Sequence, residues 1–183
     1  NTYSLNFDII YRRTINLLEV IRVKFIHTAD WHIGRKLQGA DLLLDQKFVL
    51  ENLIAEIKEY NIDFIIIAGD LYDRSVPSKE ATILLQELLV KLNIENKIPI
   101  FAISGNHDSR ERLAVGEAWF SKHDFYLHTE LKQAFNKIEF KDADIYLLPY
   151  FEPFEAREHF EDATLTTHNS ATKRVIDEIY KNI

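Results

Sequence analysis

The run DFIIIAG, residues 63–69, is the feature that most constrains this 183-residue chain. From Phe64 to Ala68 no polar side chain interrupts it, so the alternation of a half-solvated strand is missing. Such a segment is buried on both faces, as in a parallel sheet covered by helices. VKFIHTA (23–29) and IPIFAISG (98–105) have the same apolar character and strand-like length. Between them, residues 45–60 place Phe48, Leu50, Leu53, Ile54 and Ile57 near a 3.6-residue period, which predicts a helix. Residues 78–93 predict a second helix, with Ser78 as N-cap after Pro77. Strand–helix–strand–helix–strand of this kind predicts an α/β fold with parallel pairing. FYLHT, KIEF and DIYLLPY read as shorter strands that extend this sheet or start a second, and a polar helix over 170–180 follows. Residues 1–22 read differently, as a separate N-terminal extension that fits either a helix or two short strands.

Composition narrows the function. No apolar run approaches the roughly 18 residues of a membrane span, so no membrane association is expected. The absence of cysteine excludes disulfides and thiolate metal sites and suits a reducing, cytoplasmic setting. A net charge of −7 argues against holding DNA by phosphate neutralisation alone. It does not argue against metal-assisted phosphate chemistry, because clustered carboxylates are what divalent cations require.

Each of the three strongest strands ends in a polar cluster: TADWH, AGDLYD and SGNHD. In an open α/β sheet the carboxyl ends of the strands share one edge, where ligands bind. Three loops remote in sequence are thereby expected to meet, delivering Asp30, His32, Asp70, Asp73, Asn106, His107 and Asp108. Mixed nitrogen and oxygen donors of this kind suit manganese, iron or zinc. Asp30 and His32 are two residues apart, so an extended backbone would point both to one face and send Trp31 into packing. Gly69 and Gly105 precede two of the clusters, where a missing side chain permits a tight turn. Any one cluster is weak testimony; three at successive strand ends point to a metal site.

These residues carry a resemblance. DWH, GDLYD and GNHD resemble the first three motifs of the calcineurin-like metallophosphoesterases, D-x-H, G-D-x-x-D and G-N-H-[DE]. The segments IHTADWHIGR, IAGDLYDRSVPS, ISGNHDSRERL and LLPY are similar to those of the SbcD family of nuclease subunits, from Lys24 to the end of the chain. The resemblance implies a sandwich of mixed sheets flanked by helices, incomplete at its C-terminal side, with residues 23–183 forming the first part of a nuclease domain. It implies two divalent metal ions, most simply Mn2+: Asp30 and His32 on one, Asp70 bridging, and Asn106 on the other. His107 would stabilise or protonate the leaving oxygen, and Asp73 would orient His107. The implied activity is hydrolysis of DNA phosphodiesters, as a 3′–5′ double-strand exonuclease and single-strand endonuclease in repair and recombination. The implied partners are DNA and an SbcC-type ATPase subunit, in a heterotetramer built on a homodimer.

No Gly-His dipeptide occurs, whereas the resembling family carries a later His and then G-H-x-H. The chain is therefore expected to stop before its last motifs and to be inactive, or nearly so, alone. Two rival readings are another phosphoesterase of the same superfamily and a non-catalytic fragment serving dimerisation or partner binding. Among residues outside the clusters, His27 is expected in the core and His123, His128 and His159 at the surface. Phe151, Phe154 and Phe160 are expected in the core, FEPFEAREHFED on a solvated helix face, and Arg110 and Arg112 on substrate phosphate, with pairing to a carboxylate as the alternative for Arg112.

Overall fold

A computed structural model describes residues 23–181 and 183; the expected extension over 1–22 lies outside the described residues. The described residues begin with β1 (Phe25–Thr28), a small hairpin of β2 (Lys36–Leu37) and β3 (Ala40–Asp41), and helix α1 (Leu43–Glu59). Strand β4 (Phe64–Ala68), helix α2 (Lys79–Leu89) and strand β5 (Ile100–Ile103) follow. Two short helices, α3 (Arg110–Leu113) and α4 (Glu117–Phe120), lead to β6 (Phe125–His128). The remainder is the hairpin β7 (Ile138–Phe140) and β8 (Ala143–Ile145), then α5 (Pro153–Phe160) and α6 (His168–Tyr180).

The main sheet has the order β1-β4-β5-β6, and every pair in it is parallel. Phe25 pairs with Phe64, Ile65 with Ile100, and Ile100 with Phe125. Alternation along these strands divides the apolar side chains between two faces. Ile65, Ile67, Ile100, Ala102 and Leu127 meet α1 through Leu50, Ile54 and Ile57, and α2 through Leu84, Leu85 and Leu88. On the other face Phe64 and Phe101 sit edge to face at 5.1 Å, and Phe140 of the β7–β8 hairpin packs on both. Such aromatic pairs add direction to burial. Helices α5 and α6 close a separate apolar cluster around Phe151, Ala156, Leu165 and Val175.

The expected elements are present, with instructive differences. Ser78 caps α2, its hydroxyl accepting from the Ala81 amide at 3.1 Å. The helix stops at Leu89, however, and passes into a wider π-helical turn over Val90–Glu95. That turn brings Leu92 and Asn93 inward together, and Asn93 Nδ2 donates to the carbonyls of Ile98 and His123. DIYLLPY is a strand only as far as Ile145. Phe151 is buried and Phe160 half-buried as expected, but Phe154 is 48% exposed, because α5 turns Ala156 rather than Phe154 toward the core. The two strand histidines exchange places relative to expectation. His27 is exposed, whereas His128 is buried on the aromatic face and its Nδ1 hydrogen-bonds the Leu147 carbonyl at 3.1 Å. His123 and His159 are exposed as expected.

Burial lowers the pKa of His128 below the ordinary 6.5, against the opposing pull of the Leu147 carbonyl. The unfolded chain therefore takes up a proton there at a higher pH than the folded one does. This contribution to stability is complete above the ordinary value and is lost as pH falls toward the depressed one. His128→Gln should flatten the loss of stability between pH 6.5 and the acid range, by at most about 1.4 kcal/mol per pH unit. Urea unfolding of both proteins across that interval measures it, and parallel curves would contradict the assignment.

Candidate metal centre

The first strand ends earlier than the chemistry it delivers. Beyond Thr28 the backbone leaves the extended region, and Asp30 and His32 adopt φ of 57° and 42°. The two side chains do not share a face of a strand, as expected from their spacing; two left-handed residues bring them together instead. Asp is among the residues that tolerate this region, yet such backbone persists only where surroundings impose it. Here the imposition comes from the neighbouring loop. The amides of Asp30, His32 and Ile33 donate to the carbonyls of Gly69, Asp70 and Leu71 at 3.1, 2.9 and 2.9 Å. Trp31 is buried as expected, its indole donating to Thr28 Oγ1 at 3.0 Å.

Beyond β4, Gly69 and Asp70 also take positive φ, 85° and 50°. Asp70 uses its two oxygens differently. Oδ1 accepts from the His107 amide at 2.9 Å, fixing the third loop, while Oδ2 lies 3.7 Å from His32 Nε2. His32 Nε2 is also 3.5 Å from Asp30 Oδ1. Ligand bonds of about 2.0–2.2 Å to one ion leave its donors about 3–3.5 Å apart. Asp30 and Asp70 each stand at nearly that separation from His32 Nε2, with no hydrogen bond to it, but Asp30 lies outside the set of donor atoms that are all close to one another. Donor atoms of His32, Asp70 and His107 all lie within 4.8 Å of one another. Oxygen and imidazole donors so spaced fit a divalent cation of the manganese, iron or zinc type.

The expected pairing of Asp73 with His107 exists in a different form. His107 Nδ1 meets the backbone carbonyl of Asp73 at 2.8 Å, while the Asp73 carboxylate faces His32 Nδ1 at 3.6 Å. A carbonyl only accepts, so Nδ1 of His107 carries the proton and Nε2 is left to serve a ligand. His32 Nδ1 is buried without a hydrogen-bond partner, the Asp73 oxygen being its near neighbour. Asn106 stands exposed beside His107 on the same loop. Arg110 is paired with carboxylate rather than open to phosphate: it forms a two-nitrogen salt bridge with Glu155 and also donates to the Tyr150 carbonyl. Arg112 is exposed.

Two residues matter here to which the motifs assign no role. Asp108 is buried and accepts from the amides of Leu71, Tyr72 and Gly105, at 3.1, 3.0 and 2.9 Å, so it ties the second loop to the third. Burial raises its pKa above 3.8 in spite of those three amides, and the neighbouring Asp70 carboxylate pushes the same way. Gln46, on α1, hydrogen-bonds the first loop. The last letter of GNHD is a signal for Asp108; nothing in the helical pattern distinguishes Gln46.

Gly105 is required by space. A Cβ placed on it would overlap the backbone nitrogen and Oδ1 of Asp70. Gly105→Ala should therefore cost about 1–3 kcal/mol of stability, as overpacking does, and abolish divalent-cation binding by displacing Asp70. Urea titration with a parallel Mn2+ titration measures both, and wild-type cation affinity in the variant would contradict this account.

Among the described residues no helix is long and apolar enough to cross a membrane. The sequence pattern of the calcineurin-like phosphoesterase family matches residues 23–182, which include all three strand-end clusters. The parallel sheet flanked by helices agrees with that fold. With the match extending over nearly all of the chain, the protein belongs to the calcineurin-like phosphoesterase family.

Proposed function

We propose that this phosphoesterase domain acts on DNA, as the metal-dependent nuclease subunit of an SbcD-like complex. The observation that carries the metal-dependent part is the mutual approach of donor atoms of His32, Asp70 and His107 to within 4.8 Å, with Asp30 Oδ1 3.5 Å from His32 Nε2. Asp30, His32 and Asp70 would hold one cation, and Asp70 with Asn106 a second, most simply both Mn2+. When bound, such a pair neutralises the phosphodiester and stabilises charge in an in-line displacement. His107, its Nδ1 proton held by the Asp73 carbonyl, presents Nε2 to the leaving oxygen and supplies a proton there once protonated itself.

A polymeric substrate is favoured by the openness of the site and by the cations on its loops. The Asp30 side chain is 68% exposed, and His107 is exposed as well. Arg35 and Lys36 follow the first cluster, Arg74 the second and Arg112 the third, all exposed. They suit the phosphates flanking a scissile bond. Four such cations do not offset the net charge of −7, so an SbcC-type ATPase partner would engage the DNA. The homodimer in the same assembly needs an apolar surface, and Val115 and Trp119, both more than 70% exposed, offer one.

The test uses protein in excess over a linear DNA substrate, so that slow cleavage is seen. Mn2+-dependent shortening of the DNA is expected, absent in Asp70→Ala, together with Mn2+ binding by calorimetry that Asp70→Ala removes. Faster hydrolysis of a nitrophenyl phosphate than of DNA would favour a monoesterase instead. Binding indifferent to Asp70 would refute the metal centre itself.

A further inference from the structure

We propose that Gln46, near the start of α1, is a positioning residue for the metal centre, setting the direction of the His32 imidazole; this rests on the metal-dependent reading above. Residues 30–34 contain three positions in the left-handed region, Asp30, His32 and Gly34. The two that are not glycine each carry an intrinsic cost on the order of 1–3 kcal/mol. One edge of the segment is held by the carbonyls of residues 69–71. The opposite edge is held by the Gln46 side chain. Its Nε2 donates to the carbonyls of Trp31 and His32 at 3.0 and 2.7 Å, and its Oε1 accepts from the Gly34 amide at 3.0 Å.

The amide orientation is unambiguous, because only oxygen can accept from Gly34 and only nitrogen can donate to two carbonyls. The two carbonyls it grips belong to the peptide groups on either side of the His32 Cα. Fixing both planes fixes φ and ψ of His32, and with them the direction of its Cβ. The grip is transmitted from a rigid element, since Leu50, Ile54 and Ile57 bury α1 against the sheet. Supporting groups that orient a ligand in this way typically contribute about 10–100-fold to metal affinity.

The full 183-residue chain is titrated with Mn2+, and the free aqueous ion is counted by electron paramagnetic resonance. Gln46→Glu keeps the shape, removes both donors and places an anion against two carbonyls. It should bind Mn2+ about 10–100-fold more weakly while retaining the α/β circular dichroism spectrum. Asn93→Asp is the matched control: it too loses an amide that donates to two carbonyls, but at the far end of the sheet. Its melting temperature should fall while its Mn2+ affinity stays that of the wild type. Should Gln46→Glu not fold, Gln46→Met keeps length and packing without the hydrogen bonds and is judged by the same affinity. If Asp70→Ala abolishes binding but Gln46→Glu and Gln46→Met leave it unchanged, Gln46 is merely structural and the proposal fails alone. If Asp70→Ala has no effect, the metal-centre reading fails and takes the proposal with it.

Discussion

Everything at the candidate site depends on the loop of residues 69–73 being hydrogen-bonded along both edges. Its carbonyls receive the amides of Asp30, His32 and Ile33, continuing the β1–β4 pairing past the end of the strands as far as the Ile33–Tyr72 bridge. Two of its amides, those of Leu71 and Tyr72, donate to the Asp108 carboxylate, which also takes the Gly105 amide. Asp70 Oδ1 returns the favour by accepting from His107. The three loops are therefore tied into one extension of the sheet. A dissociated version of this arrangement would leave several buried amides and carboxylate oxygens without partners, each a loss on the order of 1–3 kcal/mol.

That rigidity has an electrostatic consequence. Asp30, Asp70 and Asp73 all lie within 3.7 Å of His32, and Asp108 stands behind them. The guanidinium of Arg74, 3.9 Å from Asp73, is mostly exposed and so well screened. Carboxylates gathered around one imidazole repel one another, and positive charge between them offsets that repulsion. Asp108 meets the problem with three amides and an upward pKa shift. The other carboxylates have few such bonds, so a cation between them relieves the repulsion directly.

The periodicity and the strand ends were legible because they are one-dimensional signals. The continuous run of β4 announced a parallel sheet, and the Asp, His and Asn clusters announced the edge where the loops meet. What stayed hidden depends on pairing between distant segments. Left-handed backbone at Asp30 and His32 follows from carbonyls of residues 69–71, which no local pattern encodes. The exchange between His27 and His128 follows from where the β7–β8 hairpin and Leu147 cover the sheet, and Arg110 meets Glu155 across 45 residues. The widened turn that buries Asn93 likewise needs His123, 30 residues on.

At Asp73 the backbone, not the side chain, stands against His107. An aspartate three residues after Asp70 invites the reading that its carboxylate orients His107. In the folded chain the carbonyl does so, and any residue type could supply a carbonyl. The side chain is then left for His32, whose buried Nδ1 has no hydrogen-bond partner and faces Asp73 Oδ1 at 3.6 Å. A carboxylate on that side of the ring favours a proton on Nδ1 and so leaves Nε2, the atom turned toward Asp30 and Asp70, as the free donor. One residue thus sets both imidazoles, the first through its side chain and the second through its backbone. The demand for aspartate at this position comes from the histidine it was not expected to serve.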